Sequence, residues 1–276
     1  MAFVCGTLGI CRSWLYYRRR PKRTSRVCRR PDVEVAIERI LAGRPATYGY
    51  RRIHALLIRE GIRANPKTVW RMLRRRDWLS STRSLLERAR RRHEGQVSVS
   101  EPNRRWASDI TGIVTWNKQK GRLAVIIDCA DRMVLAWRFA RRMLSEDLQE
   151  MVREAVFRRF GAEKEKAQNI EFLSDNGPEY ACRKLRGLLQ DFGMVVCRTP
   201  RRSPESNGLV EAFFGSFKRD YVYQGELESL EAVAQKLPEW MEDYNQIAPH
   251  SALGMKSPAQ FYADWISKIS TTPVQN

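Results

Sequence analysis

The most informative part of the chain is Ser174-Asp175-Asn176-Gly177-Pro178-Glu179, together with a later stretch, Ser206-Asn207-Gly208-Leu209-Val210-Glu211. The apolar run 170–173 precedes Asp175 and predicts a strand that ends in an Asn-Gly-Pro turn. Glu211, by contrast, lies within a helix-like pattern. The two acidic residues are separated by 35 residues. We therefore expect one carboxylate at the end of a strand and one on a helix.

A third acidic residue, Asp109, lies within the strand-like run 106–114, with 65 residues between it and Asp175. A carboxylate in the middle of a strand is costly to bury without a partner, and a metal ion is one such partner. Carboxylate oxygens suit Mg²⁺ better than the sulfur of Cys or the nitrogen of His. Two such ions can neutralise a phosphodiester and activate an oxygen nucleophile for in-line attack. The sequence therefore predicts that Asp109, Asp175 and Glu211 meet and hold metal ions. Asp128 and Asp131 fit turn caps instead and are left out of this site.

The helix that carries Glu211 has a polar stripe. At 100° per residue, Asn207, Glu211 and Lys218 fall within about 40° of one another. A metal ligand followed by a cation two turns further along suits a helix that runs beside DNA. A chance alignment on a solvated helix face is the alternative. The basic loop residues Arg201 and Arg202, just before this helix, are also candidate DNA contacts.

Positive charge is concentrated at the start of the chain. The 276 residues carry a net charge of +19, with a sequence pI of about 10.2 and 43% apolar residues. Residues 1–100 hold 25 Lys and Arg against 7 Asp and Glu, whereas residues 101–276 hold 25 against 24. This asymmetry indicates a polyanionic partner for the first third. Regular apolar spacing and several Trp and Tyr residues there disfavour a disordered basic tail.

Residues 45–79 have the pattern of a helix-turn-helix. The run 50–60 predicts a helix that Gly61 ends, and Asn65 then caps a second helix whose first position is Pro66. The second helix has one apolar and one basic side, as expected of a helix laid into a major groove. An amphipathic hairpin with a solvated charged face is the alternative. The candidate DNA contacts of this region are basic residues: Arg51, Arg52, Lys67, Arg71, Arg74 and Arg75.

Composition excludes several other classes of protein. The six cysteines form no C-x-x-C pair and the chain has three histidines, so a zinc finger is disfavoured. No apolar stretch reaches the length of a membrane span, and the apolar start of the chain lacks the charge order of a signal peptide. We therefore expect reduced thiols and a cytoplasmic, nucleoid-associated bacterial protein that does not bind membranes.

From residue 105 onward the pattern changes to strands. Three β-rich runs, 106–116, 122–127 and 134–140, precede a helix over 146–160 that Ser145 is expected to cap. A strand over 170–174, a helix over 179–192, a strand over 195–198 and a helix over 205–222 follow, and a last helix over 230–244 contains Pro238. The order βββαβαβα predicts an α/β fold, a ribonuclease-H-like mixed sheet with helices on both faces, preceded by an all-α helix-turn-helix DNA-binding region.

Three motifs together resemble a known family. They are Trp106-x-x-Asp109-x-Thr111, Ser174-Asp175-Asn176-Gly177, and Ser203-Pro204-x-Ser206-Asn207-Gly208-x-x-Glu211. This pattern resembles the DDE transposase with a retroviral-integrase-like catalytic core, in particular the second-frame (OrfB-type) product of the insertion-sequence-three family. Tyr48-Gly49-Tyr50-Arg51-Arg52-Ile53 is similar to the upstream signature of that family, and Pro249-His250-Ser251-Ala252-Leu253-Gly254 to its closing one. Ala248 and Met255 depart from the family, which usually has an Arg and an aromatic residue there.

The resemblance implies a metal-dependent DNA transposase with Asp109, Asp175 and Glu211 as catalytic residues and Mg²⁺ ligands. Two ions would be held when DNA is bound, and Mn²⁺ could replace Mg²⁺. Its first partner would be double-stranded DNA, at the terminal inverted repeats of the element and at the target. Its other partners would be further copies of the chain on paired ends and a first-frame fusion or partner protein.

The expected division is a partial helix-turn-helix and basic arm at 1–30, a helix-turn-helix domain at 31–80, a basic linker at 81–104, an integrase catalytic core at 105–222 and a C-terminal helical segment at 223–276.

Two other functions remain open from the sequence alone. The chain could be a non-catalytic DNA-binding regulator or a decayed transposase. Decay is disfavoured, because random mutation without selection would not be expected to retain three acidic residues that are far apart in the sequence. It could also be a ribonuclease-H-like nuclease that hydrolyses DNA without joining it. The large basic region at the start of the chain favours site-specific duplex binding over the nuclease.

Overall fold

The computed structural model describes residues 30–43, 47–79, 99–198 and 208–271. Some of the predicted features lie outside these ranges. They are nearly all of the partial helix-turn-helix at 1–30, most of the linker at 81–104, and the candidate DNA contacts Arg201, Arg202 and Asn207.

The N-terminal region is a packed group of helices: α1 (Pro31–Ala42), α2 (Tyr50–Arg59) and α3 (Pro66–Arg75). Their apolar faces meet in one cluster, in which Ile37, Leu57 and Leu73 are fully buried. Gly61 follows α2 with φ +78°, and the Asn65 side chain accepts a hydrogen bond from the backbone N–H of Lys67 at 2.9 Å. The predicted glycine stop and asparagine cap are both confirmed, because each depends on local backbone chemistry.

The sheet has five strands in the described part of the chain. They are β1 (Arg105–Val114), β2 (Lys120–Asp128), β3 (Val134–Ala140), β4 (Glu171–Ser174) and β5 (Val195–Arg198), in the spatial order β3-β2-β1-β4-β5. The first three form an antiparallel meander, and β4 and β5 are added in parallel. The predicted mixed sheet is confirmed. The first strand, β1, lies at its centre, antiparallel to β2 and parallel to β4.

Helices cover both faces of this sheet. They are α4 (Ser145–Phe160), α5 (Arg183–Asp191), α6 (Gly208–Asp220), α7 (Leu230–Gln246) and α8 (Pro258–Thr271), with short 3₁₀ turns at Lys164–Ala167, Val222–Gln224 and Ser251–Leu253. One face buries Ala107 of β1 with Phe213 and Phe217 of α6. The other buries Trp106 with Met151 of α4 and Leu189 of α5. Neighbouring strand residues therefore point to opposite faces, as the pleat requires.

Several predicted bounds were wrong by a few residues. Ser145 does not cap α4: the helix starts at Ser145, and Asp147 instead accepts a hydrogen bond from the backbone N–H of Leu144 at 2.7 Å. The helix predicted over 179–192 begins only at Arg183, because the N–H groups of Tyr180 and Ala181 both bind the carbonyl of Gly177 in a turn. The sequence also did not separate α8 as a helix of its own.

Asp128 and Asp131 act as turn caps, as predicted. Asp128 Oδ1 accepts a hydrogen bond from the N–H of Ala130 at 2.8 Å, and Asp131 Oδ1 accepts one from Met133 at 2.9 Å. Both carboxylates are fully buried, and Arg159 of α4 neutralises them, its Nη2 lying 2.8 Å from Asp131 Oδ2. The guanidinium of Arg159 also lies 4.0 Å from the centroid of the Tyr262 ring, which joins α8 to the core. No helix of the described ranges is long and apolar enough to cross a membrane.

Candidate active site

The sheet brings Asp109 and Asp175 to the same level. In the parallel pair β1–β4, Ala107 is opposite Leu173. Continued by two residues, this register puts Asp109 beside Asp175, the residue that follows β4. Neighbouring strands are about 4.8 Å apart. The pairing register of β1 and β4 therefore brings the strand that carries Asp109 next to the Asn-Gly-Pro turn that follows Asp175.

Asp109 lies on the face of β1 that α6 covers. Ala107 belongs to the cluster that buries Phe213 of α6, and alternate residues of a strand share a face. Glu211 is on the first turn of α6 and is exposed. Further along the same helix, Lys218 Nζ donates hydrogen bonds to Thr111 Oγ1 at 2.6 Å and to the carbonyl of Gly112 at 2.7 Å. The helix is thus fixed to β1 two and three residues beyond Asp109.

The electrostatics of Asp109 show how close these carboxylates are. Burial raises the pKa of Asp109 to about 6, and the charges of Asp175 and Glu211 add to the rise, while a hydrogen bond from the N–H of Ile110 opposes it. The charges of Asp175 and Glu211 thus act on a carboxylate whose charged form is already disfavoured by burial. Such a group favours either a proton or a bound cation.

A fourth carboxylate borders the site. This carboxylate belongs to Glu179, on the far side of Gly177 from Asp175. A β-carbon built at Gly177 would lie 3.0 Å from Asp175 Oδ1 and 3.1 Å from Glu179 Oε2. Glu179 forms an ion pair with Arg122 of β2. Burial raises the pKa of Glu179, but a backbone hydrogen bond and the contact with Arg122 together lower it below its usual value. Asp175 itself accepts a hydrogen bond from the N–H of Gly177 at 3.0 Å. Because Gly177 has no side chain, the carboxylates of Asp175 and Glu179 can both lie close to it and to each other.

The opposite side of β1 holds the same turn in place. Ser108 Oγ donates to the carbonyl of Val125 at 2.9 Å and lies 2.8 Å from the hydroxyl of Tyr180. Burial raises the pKa of this tyrosine, and the charges of Asp109 and Asp175 raise it further. The hydroxyl is therefore a neutral anchor for the turn that presents Asp175.

Three family descriptions match the chain. An integrase core domain matches residues 99–204, a second integrase core domain description matches residues 193–258, and an HTH-like domain matches residues 29–84. Transposase InsD of insertion element IS2A/D/F/H/I/K from Escherichia coli is 36% identical over 236 residues, which cover 83% of this chain and 78% of that protein.

The chain belongs to the insertion-element transposases. An uncharacterized protein of insertion element IS136 from Agrobacterium fabrum is 42% identical over 173 residues, or 62% of this chain and 88% of that protein. The family resemblance expected from the sequence, to a second-frame transposase of the insertion-sequence-three family with an integrase-like core, is confirmed.

Solved structures of viral integrases and transposases align with this transposase at lower identity. A simian T-cell lymphotropic virus intasome in complex with PP2A regulatory subunit B56 gamma has a TM-score of 0.49 at 19% identity, over 81% of this chain and 72% of that one. The Mos1 transposase catalytic domain with raltegravir and Mg has a TM-score of 0.43 at 21% identity, over 60% and 78%.

The donor set of the transposase suits a hard cation. Asp109, Asp175 and Glu211 offer only carboxylate oxygens, which Mg²⁺ and Mn²⁺ prefer to sulfur. The pKa of Asp109, which is raised by burial and further by the charges of Asp175 and Glu211, is the second observation in favour of a cation. Among the described residues, no three of the acidic, His or Cys side chains are already close enough to hold one ion. Glu211 lies four residues after the segment 199–207, which is outside the described residues.

The candidate DNA contacts fall in two settings. On α3, Lys67, Arg71 and Arg74 are all exposed, and Arg74 stacks over the ring of Trp70 at 5.3 Å. Arg75 is exposed too and lies 3.9 Å from Glu34 of α1. On α2, Arg51 is exposed, whereas Arg52 is half-buried and binds a carboxylate of α6.

Four residues at the site were given no role from the sequence: Ser108, Arg122, Glu179 and Tyr180. Glu179 is part of the turn motif itself, so its place beside Asp175 could have been suspected. Arg122 and Ser108 offered no such signal, because their partners are 57 and 72 residues away and depend on the strand register. Thr111 was quoted within a motif, but its bond to Lys218 appears only in the folded chain.

Proposed function

We propose that this transposase binds the terminal inverted repeats of its insertion element and catalyses Mg²⁺-dependent DNA cleavage and strand transfer, with Asp109, Asp175 and Glu211 as catalytic residues and metal ligands. The observation that carries the proposal is the placement of Asp109 beside Asp175 by the register of β1 and β4, with Glu211 on the first turn of α6 and the charges of both adding to the raised pKa of Asp109. The membership of the chain in the insertion-element transposases supports the same reaction.

The residues around the acidic group have distinct parts in this reaction. Divalent ions held there would neutralise the scissile phosphate and lower the pKa of the attacking hydroxyl or water. Asp109 is held by the central strand of the sheet, and Asp175 by the turn anchored through Tyr180. Lys218 supplies a positive charge two helical turns, about 10 Å, beyond Glu211, where a DNA backbone leaving the ions would run.

Duplex capture is the proposed role of the basic N-terminal helices. The face of α3 presents Lys67, Arg71 and Arg74 to solvent with Trp70 among them. A helix of this charge at the second position of a helix-turn-helix suits phosphate and base contacts in a major groove. We further propose that the transposase works on the bacterial nucleoid as a multimer on paired element ends, with a first-frame product as fusion or partner protein.

A joining assay tests the reaction. The substrate is a labelled duplex carrying the terminal inverted repeat that flanks this reading frame, incubated with plasmid target and either Mg²⁺ or EDTA. We expect joined product with Mg²⁺ only, and product at background level for Glu211→Gln. Glu239→Gln is the matched control, because Glu239 is an exposed glutamate of α7 paired with Lys236.

Each other outcome has a definite meaning. A mobility shift without cleavage identifies a DNA-binding regulator or a decayed transposase. Hydrolysis without joining identifies a nuclease. Full joining by Glu211→Gln contradicts the assignment of the site while leaving the reaction itself in place.

A further inference from the structure

The N-terminal helices are tied to the helix that carries Glu211. Arg52, near the start of α2, donates from Nη1 to Asp220 Oδ2 at 2.7 Å, across 168 residues of sequence. Asp220 is the last residue of α6, and its side chain is only 4% exposed. The second cation on this carboxylate is its neighbour Arg219, at 2.5 Å.

The charges of this junction depend on one another. Burial alone would raise the pKa of Asp220, but hydrogen bonds from Arg219 and Arg52 hold it below its usual value. Burial likewise disfavours the charged form of Arg52, and the bond to Asp220 reverses this, so the pKa of Arg52 is raised. Loss of one partner of a buried ion pair strongly destabilises the folded protein, because an uncompensated buried charge remains. The pair of Arg52 and Asp220 is therefore a specific contact between the N-terminal helices and α6.

Aromatic rings surround the pair. The guanidinium of Arg52 lies over the ring of Tyr48, 4.9 Å from its centroid, and Tyr48 is buried. Tyr221, the residue after α6, is buried as well and donates its hydroxyl proton to Asp243 of α7 at 2.8 Å. The pKa of Tyr221 is raised by burial, with contributions from Tyr48 and Asp243. The junction is therefore largely closed to water.

The other end of α2 is attached as well. Arg59 donates from Nη1 to the carbonyl of Ile247 at 2.7 Å and from Nη2 to the carbonyl of Met255 at 2.6 Å. Arg52 and Arg59 are seven residues apart, so they project from the same side of the helix two turns apart. Meanwhile the basic residues of α3 stay exposed. One helix of the motif contacts the core while the other remains available to DNA.

We propose that α2 couples the DNA-binding region rigidly to the catalytic helix, and that Arg52 is a positioning residue that acts on Glu211 through Asp220 and α6. This inference rests on the proposed function. It gives Arg52 a different role from the DNA contact expected from the sequence. The coupling fixes the distance between a duplex held on α3 and the carboxylates, because the C-terminal end of α6 is held to α2 by Asp220 and to β1 by Lys218.

The first test needs neither DNA nor metal. Hydrogen exchange is measured on the full chain of the wild type, Arg52→Met, Arg52→Lys and Arg39→Met. We expect Arg52→Met to speed exchange at the C-terminal half of α6 by about tenfold or more, and Arg52→Lys to recover most of the protection. Arg39→Met is the control, because it removes an exposed ion pair with Glu60 inside the N-terminal region. Exchange in α6 that is unchanged in Arg52→Met overturns the coupling.

The second test separates positioning from DNA contact. Binding of the terminal-repeat duplex and the single-turnover joining rate at saturating protein are measured for the same variants. We expect Arg52→Met to keep its Kd within about threefold of the wild type and to join about tenfold more slowly or worse. A weakened Kd with an unchanged joining rate would show that Arg52 is a DNA contact and overturn the proposal.

Two further controls keep the proposal open to refutation. If Arg52→Met does not fold, Arg59→Met replaces it, because Arg59 joins α2 to the backbone carbonyls of Ile247 and Met255. The same loss of protection and of joining rate is expected at a smaller size, and its absence counts against the coupling. If the wild type joins no DNA, the proposed function fails, while the exchange experiment still decides whether α2 holds α6.

Discussion

The hydroxyl of Tyr180 lies 2.8 Å from Ser108 Oγ, and Ser108 is the residue before Asp109 on β1. One buried hydrogen bond thus joins the turn after Asp175 to the strand of Asp109. Ser108 Oγ also donates to the carbonyl of Val125, so the serine has a second partner whereas the tyrosine hydroxyl depends on the serine. This asymmetry has a measurable consequence.

Ser108→Ala should destabilise the fold more than Tyr180→Phe. The alanine leaves the fully buried Tyr180 hydroxyl without a partner, at a cost of about 1–3 kcal/mol, whereas the phenylalanine leaves Ser108 bonded to Val125 and should cost about 1 kcal/mol. Urea unfolding measures both. The double variant should be less destabilised than the sum of the two. Equal losses in the single variants would show that the two groups do not depend on each other.

Gly177→Ala should impair DNA joining while the fold is retained. The new β-carbon would lie 3.0 Å from Asp175 Oδ1 and 3.1 Å from Glu179 Oε2, so the two carboxylates would have to move. A joining assay and a thermal melt distinguish the site from the fold. Gly187→Ala, within α5, is the matched control: its β-carbon meets nothing within 4 Å, and it should stabilise the protein by about 0.5–1 kcal/mol. Normal joining by Gly177→Ala would show that the turn tolerates the shift.

Asp109→Asn should stabilise the metal-free protein and abolish its response to Mg²⁺. The amide oxygen can still accept the N–H of Ile110, while the repulsion from Asp175 and Glu211 is removed. We expect the free energy of unfolding in EDTA to rise by about 1 kcal/mol, a stability gained at the expense of activity. Calorimetry with and without Mg²⁺ measures both effects. A stabilisation by Mg²⁺ that persists in Asp109→Asn would remove this residue from the set of ligands.

Lys218→Met should weaken DNA binding and reduce its dependence on salt. In the free protein, Lys218 is held by Thr111 and Gly112 and its pKa is lowered by burial, so it has to exchange these partners for a phosphate. One lost phosphate contact should lower the slope of log K against log salt by about 1. Lys218→Arg should keep most of the slope. Lys236→Met, at an exposed ion pair of α7, is the control, and an equal change in both methionine variants would contradict a specific contact.

His250 should make the protein sensitive to acid. Burial and the nearby charges of Arg52 and Arg132 lower its pKa to about 4, although Asp220 opposes the shift. The ring is neutral in both states above the unfolded pKa of 6.5, and the unfolded chain takes up the proton first as the pH falls. Stability is therefore fully present above pH 6.5 and declines towards pH 4, by about 3 kcal/mol relative to His250→Phe.

Two measurements check this prediction. Urea unfolding of the wild type and of His250→Phe at pH 7 and pH 4 gives the difference, in which the other titrating groups cancel. An NMR titration of the ring gives the pKa of His250 directly. A folded-state pKa near 6.5 would contradict the burial of this side chain against Tyr244.

The elements predicted well are those whose signals are local. Gly61 and Asn65 each specify a turn or cap through their own backbone or side chain. The order of strands and helices followed from the periodicity of apolar residues. Such signals predict where an element is, but they do not identify its contacts with distant parts of the chain.

The features missed are those that need two distant segments. The ion pair of Arg52 with Asp220 was missed because the two residues are 168 positions apart, while the DNA contact expected of Arg52 stays a prediction. The bond between Ser108 and Tyr180 depends on the register of β1 with its neighbours, which no local pattern specifies. The grouping of the three acidic residues stays a prediction from their chemistry, and the parallel register of β1 and β4 supports it for Asp109 and Asp175.

Because β1 is the central strand of the sheet, the backbone holds Asp109 more firmly than it holds the other two acidic residues. Asp109 is on a strand that is bonded on both sides, so local opening at either edge of the sheet leaves it in place. Asp175 follows a four-residue strand, and Glu211 is on the first turn of its helix. Asp109 is therefore the most firmly held of the three carboxylates, and at the proposed site ions or DNA would be accommodated by small movements of the other two towards it.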